Sequence, residues 1–228
     1  MKYVLLPGMD GTGSLFERAL NKMRHLDVQV LPLPERVFST YSALAQAIRP
    51  ELPDTPYILI AESFSGRVAA EIAGSGSENL KGIIFVNSFL DPPSKALLNL
   101  TTLLPLNSAW LWTIAKPLIS YLCLHGKGGE IYQRLKSVVA GVPVSVLNSR
   151  LRMMADMSPP SVNLALEVKV LIGKQDRLIS LAKSERISAS YDVSEIQVLD
   201  GPHMLLQTSD EACEVLVEML GHGFGAME

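Results

Sequence analysis

Ser63 stands in Tyr57-Ile58-Leu59-Ile60-Ala61-Glu62-Ser63-Phe64-Ser65-Gly66-Arg67-Val68-Ala69-Ala70, where an apolar strand-like run passes through small-x-Ser-x-small into a helical pattern. A serine at such a sharp strand-to-helix turn is held in a strained backbone conformation with its hydroxyl exposed, ready to attack an acyl carbon. Bulky residues two before or two after it would collide; Ala61 and Ser65 fit there, and Gly66 lets the helix approach the sheet. Ser65 is the rival nucleophile, but a motif centred on it puts Arg67 where a small residue is needed. The reading without chemistry is that either serine merely caps the following helix.

Three further features follow strand-like runs. In Val198-Leu199-Asp200-Gly201-Pro202-His203-Met204-Leu205, His203 falls in a Gly-Pro turn, where an imidazole could act as general base. The other histidines differ: His25 lies near a helix end, His125 in a long connection and His222 in a Gly-rich tail. Asp176 comes just past the run Val168-Lys169-Val170-Leu171-Ile172, placed to orient and charge-stabilise such an imidazole. Finally, Pro7-Gly8-Met9-Asp10-Gly11-Thr12-Gly13 is a turn that can aim backbone N–H groups at an anion. As a nucleotide loop it fails, because GxGxxG is missing and Gly13 precedes Ser14 rather than Lys. As an oxyanion loop it fits, with the Met9 amide joining that of Phe64.

These residues need a scaffold that gathers strand ends. Apolar runs at Tyr3–Leu6, Val28–Leu31, Tyr57–Ile60, Ile83–Val86, Val168–Ile172 and Ile196–Leu199 read as six buried strands, continuous rather than alternating because both faces are covered. Amphipathic stretches near 14–24, 41–51, 64–75, 180–190 and 208–220 supply crossover helices, so the class is α/β with a mostly parallel six-stranded sheet. Sites gather outside the carboxyl ends of such strands. The 76 residues between Asp91 and Val168 carry helical patterns and no convincing strand, which predicts a helical cap (92–167) inserted in a core of 1–91 and 168–228.

Composition narrows the function. With 228 residues, 48% hydrophobic and 19% charged, the chain has ample material for a large core. A net charge of −3 argues against nucleic acid as ligand. It hides a division: residues 92–167 hold seven basic and three acidic side chains, a balance of +4 that leaves −7 elsewhere. Cys123 and Cys213 lie far apart without metal-ligand spacing, so no metal or cofactor is expected; as buried thiols they fit a reducing cytoplasm. The start, Met1-Lys2-Tyr3-Val4-Leu5-Leu6, breaks at Pro7-Gly8 and reads as a strand rather than a secretory signal. The stretch 108–124 is interrupted by Lys116-Pro117, so it reads as a half-buried helix kinked at Pro117, without stable membrane insertion.

Taken together, an oxyanion loop, Ser63, Asp176 and His203 in that order resemble the α/β-hydrolase superfamily, in particular small serine carboxylesterases, over about residues 2–220. Two departures stand out: the chain begins two strands later than full members, and Pro7-Gly8 replaces the usual His-Gly. Since some members take the acid from the preceding strand end, the resemblance also makes Asp91, which lies there near Asn87, the reserve acid. The resemblance implies a serine-dependent carboxylic ester hydrolase acting through an acyl-enzyme. Apolar cap residues, Trp110, Leu111 and Trp112 among them, would receive a lipophilic or acyl-chain ester, although any one of them serves equally to glue cap to core. The architecture is also similar to pimeloyl methyl-ester carboxylesterases, which adds a narrower expectation: an ester on an acidic acyl carrier protein, docked through basic cap residues such as Arg150 and Arg152. The alternatives are an acyl thioesterase and a non-catalytic ligand-binding protein of the same fold.

Overall fold

The computed structural model describes residues 1–92, 109–126, 129–158, 166–222 and 224. Six strands, β1 (Lys2–Leu6), β2 (Val28–Val30), β3 (Tyr57–Glu62), β4 (Leu80–Val86), β5 (Glu167–Gly173) and β6 (Val193–Leu199), form one sheet in the order β2-β1-β3-β4-β5-β6. Every pairing is parallel, so the sheet is wholly rather than mostly parallel. All six runs expected from the sequence are strands. Two begin three residues before their apolar runs: β4 takes in Leu80, exposed Lys81 and Gly82, and edge strand β6 opens with an alternation of half-buried and exposed residues that breaks the continuous pattern.

Among the described residues the α-helices are α1 (Glu17–Lys22), α2 (Tyr41–Ile48), α3 (Ser65–Gly74), α4 (Ala109–Ile119), α5 (Gly129–Gly141), α6 (Val144–Asp156), α7 (Leu181–Glu185), α8 (Leu205–Thr208) and α9 (Asp210–Gly221). Thr40 and Ser209 cap α2 and α9 by accepting the amides of Ala43 and Ala212. That second cap splits the helix expected over 208–220 from the short α8 before it. One core lies on the face of the sheet carrying Leu59, Phe85 and Val170 with α2 and α3; another carries Ile58, Ile84 and Leu171 with α1 and α9. This burial on both faces is what the continuous apolar runs encode.

The direction in which successive strands are added reverses about β1, which has β2 on one side and β3 on the other. The loops leaving β1 and β3 therefore diverge and leave a crevice at their carboxyl ends. The described helices α4, α5 and α6 lie between β4 and β5 in sequence, with their own small core around Leu124, Tyr132 and Leu147. The α4 helix runs through Pro117, and a turn of wider π winding, Ser120–Leu124, follows. Among the described residues, no helix is long and apolar enough to cross a membrane.

Candidate active site

At the end of β3 the backbone enters a left-handed conformation at Ser63, whose φ is +50°. This strain persists because neighbours fix the turn on both sides. The Ser63 amide donates to the Val86 carbonyl at 3.0 Å, and Ser88 Oγ donates to the Ser63 carbonyl at 2.7 Å. Gly66 is required by contact: a Cβ there would sit 1.7 Å from Ser88 Oγ, so α3 could not lie this close to β4. Ser65 is fully buried and donates its hydroxyl to the Pro7 carbonyl, which takes it out of competition as nucleophile.

Ser63 Oγ lies 3.0 Å from His203 Nε2, and His203 Nδ1 lies 2.7 Å from Asp176 Oδ2. The three residues, separated by up to 140 positions, form one hydrogen-bonded chain. Asp176 is itself fixed, its Oδ1 accepting the amides of Leu178 and Ile179 at 2.8 Å. With the imidazole proton directed to Asp176, Nε2 is left to accept from Ser63. Burial alone would lower the His203 pKa, but the Asp176 carboxylate and then Glu62 outweigh it, and the pKa ends above the ordinary imidazole value. Asp91 is elsewhere, paired with Lys183 at 3.0 Å and Arg186 at 3.2 Å.

Two residues that the motifs did not single out for a role hold this chain in place. Fully buried Asn87, at the end of β4, donates to the carbonyls of Pro202 and His203 at 2.9 and 2.8 Å and accepts the Gly173 amide at 2.6 Å. One amide side chain thereby joins the end of β5 to the His203 loop. Glu62, next to Ser63 and buried, accepts from Gln207 Nε2 at 2.8 Å. Burial pushes its carboxyl up to about 7, against the opposing pull of Gln207 and His203. The only sequence signal for Asn87 is its strand-end position; for Glu62 it is adjacency to Ser63.

Met9 and Phe64 stand in the loops after β1 and β3, and Met9 lines the crevice. Among the described residues neither backbone amide has a protein acceptor. Above Ser63 and His203 opens a cavity of about 350 Å³, walled below by Met9, Glu62 and Met204 and above by the connection between β4 and β5. Leu111 and Trp112 of α4 line it; Trp112 also packs against Tyr132 at 5.9 Å. The side chain of Trp110 lies outside the described residues. Cys123 is half-buried rather than buried, and burial pushes both thiols up to about 12. Among the described residues no cluster of His, Cys, Asp and Glu is placed to hold a metal ion.

One expectation for the connection is overturned. Arg150 is 2% exposed and bonded to backbone carbonyls, so it cannot serve as surface charge for docking. Arg134 is spent on an ion pair with Glu17 at 2.5 Å, while Arg152 is exposed. Lys95 and Lys127 lie outside the described residues.

The sequence profile of the serine aminopeptidase S33 family matches residues 34–207, which include Ser63, Asp176 and His203. The chain belongs to this family. It is an α/β-hydrolase, and solved structures share its fold. A hydrolase from Pseudomonas aeruginosa superposes with TM-score 0.83 at 14% identity, covering 96% of this chain and 89% of its own. An esterase from Exiguobacterium antarcticum gives 0.82 at 14%, covering 97% and 92%. A thermophilic esterase from Thermogutta terrifontis gives 0.77 at 18%, covering 97% and 90%. No curated protein sequence matches the chain.

Proposed function

We propose that the protein is a serine-dependent carboxylic ester hydrolase that works through an acyl-enzyme on lipophilic esters. The observation that carries this reading is the Ser63–His203–Asp176 hydrogen-bonded chain opening into an apolar cavity of about 350 Å³.

His203 Nε2 takes the Ser63 proton as Oγ attacks the ester carbonyl carbon, and the resulting oxyanion is received by the Met9 and Phe64 amides. The protonated imidazole, held by Asp176, returns its proton to the departing alkoxide, which leaves as the alcohol. Water then attacks the acyl-enzyme, with His203 again as base, releasing the acid and restoring Ser63. The elevated His203 pKa strengthens the base while confining activity to pH values at which the imidazole is neutral.

A volume of about 350 Å³ with a largely apolar lining suits a medium acyl chain. Each methylene buried contributes about 0.8 kcal/mol, so kcat/KM should rise about fourfold per added carbon until the cavity is full. A panel of p-nitrophenyl esters of graded chain length tests this, run beside acyl-coenzyme A thioesters, carrier-protein methyl esters and amino-acid p-nitroanilides. The expected result is fastest turnover of medium-chain oxygen esters. Preference for thioesters or anilides would replace the reading with a thioesterase or an aminopeptidase.

A further inference from the structure

Arg150 presents a puzzle that the reaction above does not use. It projects from α6, is almost wholly buried, and its guanidinium donates to three backbone carbonyls: Met9 at 2.8 Å, Asp10 at 2.9 Å and Pro34 at 3.2 Å. Stripping water from a cation is costly, and among the described residues no carboxylate lies within ion-pair distance to offset it. Asp10 and Glu35 favour the charge only from farther off. The chain also leaves room for this group. Gly11 has a φ of +72°, and a Cβ on it would fall 2.4 Å from Arg150 Nη1.

From this arrangement we infer that Arg150 is a positioning residue for the oxyanion loop, holding the 7–13 turn so that the Met9 amide faces the crevice. The inference rests on the esterase reading for its kinetic consequence, but not for its structural one. A planar fork with five fixed donors can hold two successive carbonyls of one loop and a third from another chain segment in one geometry, whereas a lysine presents three donors on a single compact, rotatable ammonium. The tether also crosses between layers. On the same helix, Leu151 and Met154 line the cavity, so the element that senses the acyl chain also holds the loop that stabilises the transition state.

The test compares Arg150→Ala and Arg150→Lys with the parent protein by steady-state kinetics on a medium-chain p-nitrophenyl ester. Affinity for a trifluoromethyl ketone and hydrogen exchange of the 7–13 amides complete the comparison. Loss of one oxyanion donor typically lowers kcat 10²–10³-fold. Arg150→Ala should therefore lose about 100-fold in kcat, with KM within about threefold and ketone affinity falling in parallel. Methylguanidinium at millimolar concentration should restore at least tenfold, and Arg150→Lys should lose about tenfold. Unchanged kcat in the folded variants, or a loss confined to KM, overturns the inference. If Arg150→Ala does not fold, the lysine variant decides by the same criteria. If the parent cleaves no ester, exchange alone decides: faster exchange of the 7–13 amides in Arg150→Lys supports the tether, and unchanged exchange overturns it.

Discussion

Along β3 all six side chains are buried, and the chain leaves the strand into a turn whose amide and carbonyl are both bonded. Along α4, by contrast, Ile114 is 69% exposed and Leu118 57%, although Leu118 also lines the cavity. Strand ends are locked by short hydrogen bonds to neighbours fixed in the sheet. Of the described helices between β4 and β5, α4 and α5 rest on a small core around Leu124 and Tyr132 that also takes in Leu15 and Met204, while α6 packs Leu151, Met153 and Met154 into the main core and adds the polar tether of Arg150. Geometry that must be accurate to tenths of an ångström is thus placed where packing leaves no freedom, and the wall that meets the substrate where substitution is cheap.

If that division is right, damage at a strand end should be severe in both activity and stability. Asn87→Ala leaves the Gly173 amide and the Pro202 and His203 carbonyls without their partner, which should cost about 2–4 kcal/mol in urea unfolding and lower kcat at least tenfold as the His203 loop loosens. A wild-type midpoint and kcat would break the comparison at its stronger side.

Glu62 offers a sharper, pH-dependent version. Its carboxyl titrates at about 7 in the folded protein, above its ordinary value of 4.5, so the folded state binds that proton more tightly than the unfolded chain. The stability it contributes is full below about pH 4.5 and is lost as pH rises through 7. Glu62→Gln, which keeps a polar group of the same shape, should therefore be more stable than the parent at pH 8 by about 1–3 kcal/mol, with the advantage gone by about pH 4.5. A constant difference between variant and parent at all pH values would show that the carboxyl is not held protonated.

The smallest effect is expected on the other side of the comparison. Leu118→Trp should change stability by about 0.5 kcal/mol or less while narrowing the cavity, moving the preferred ester about two carbons shorter. An equal loss on every chain length, measured with the same ester panel, would mean that this helix does not select the acyl group.

Much of this was legible in the residues themselves. The six strands announce themselves because burial on both faces enforces unbroken Val, Ile and Leu runs, and Ser63, Asp176 and His203 each follow such a run at the carboxyl end where parallel sheets collect their sites. Arg150 and Asn87 were opaque for one reason: their partners are backbone carbonyls and amides up to 141 residues away, and a backbone group has no side-chain identity to recognise in a sequence. Arg150 was misread as surface charge because basic residues are so seldom buried. The burial of Glu62 likewise depends on Gln207, a contact made only in the fold.

The central claim is that His203 and Asp176 make Ser63 a nucleophile. A fluorophosphonate probe followed by peptide mass spectrometry tests it most directly, because the probe reacts with a serine hydroxyl activated in this way. The account predicts one adduct on Ser63, absent in Ser63→Ala and slowed by several orders of magnitude in His203→Ala. An adduct on Ser65, or labelling of the folded parent no faster than of His203→Ala, would contradict it.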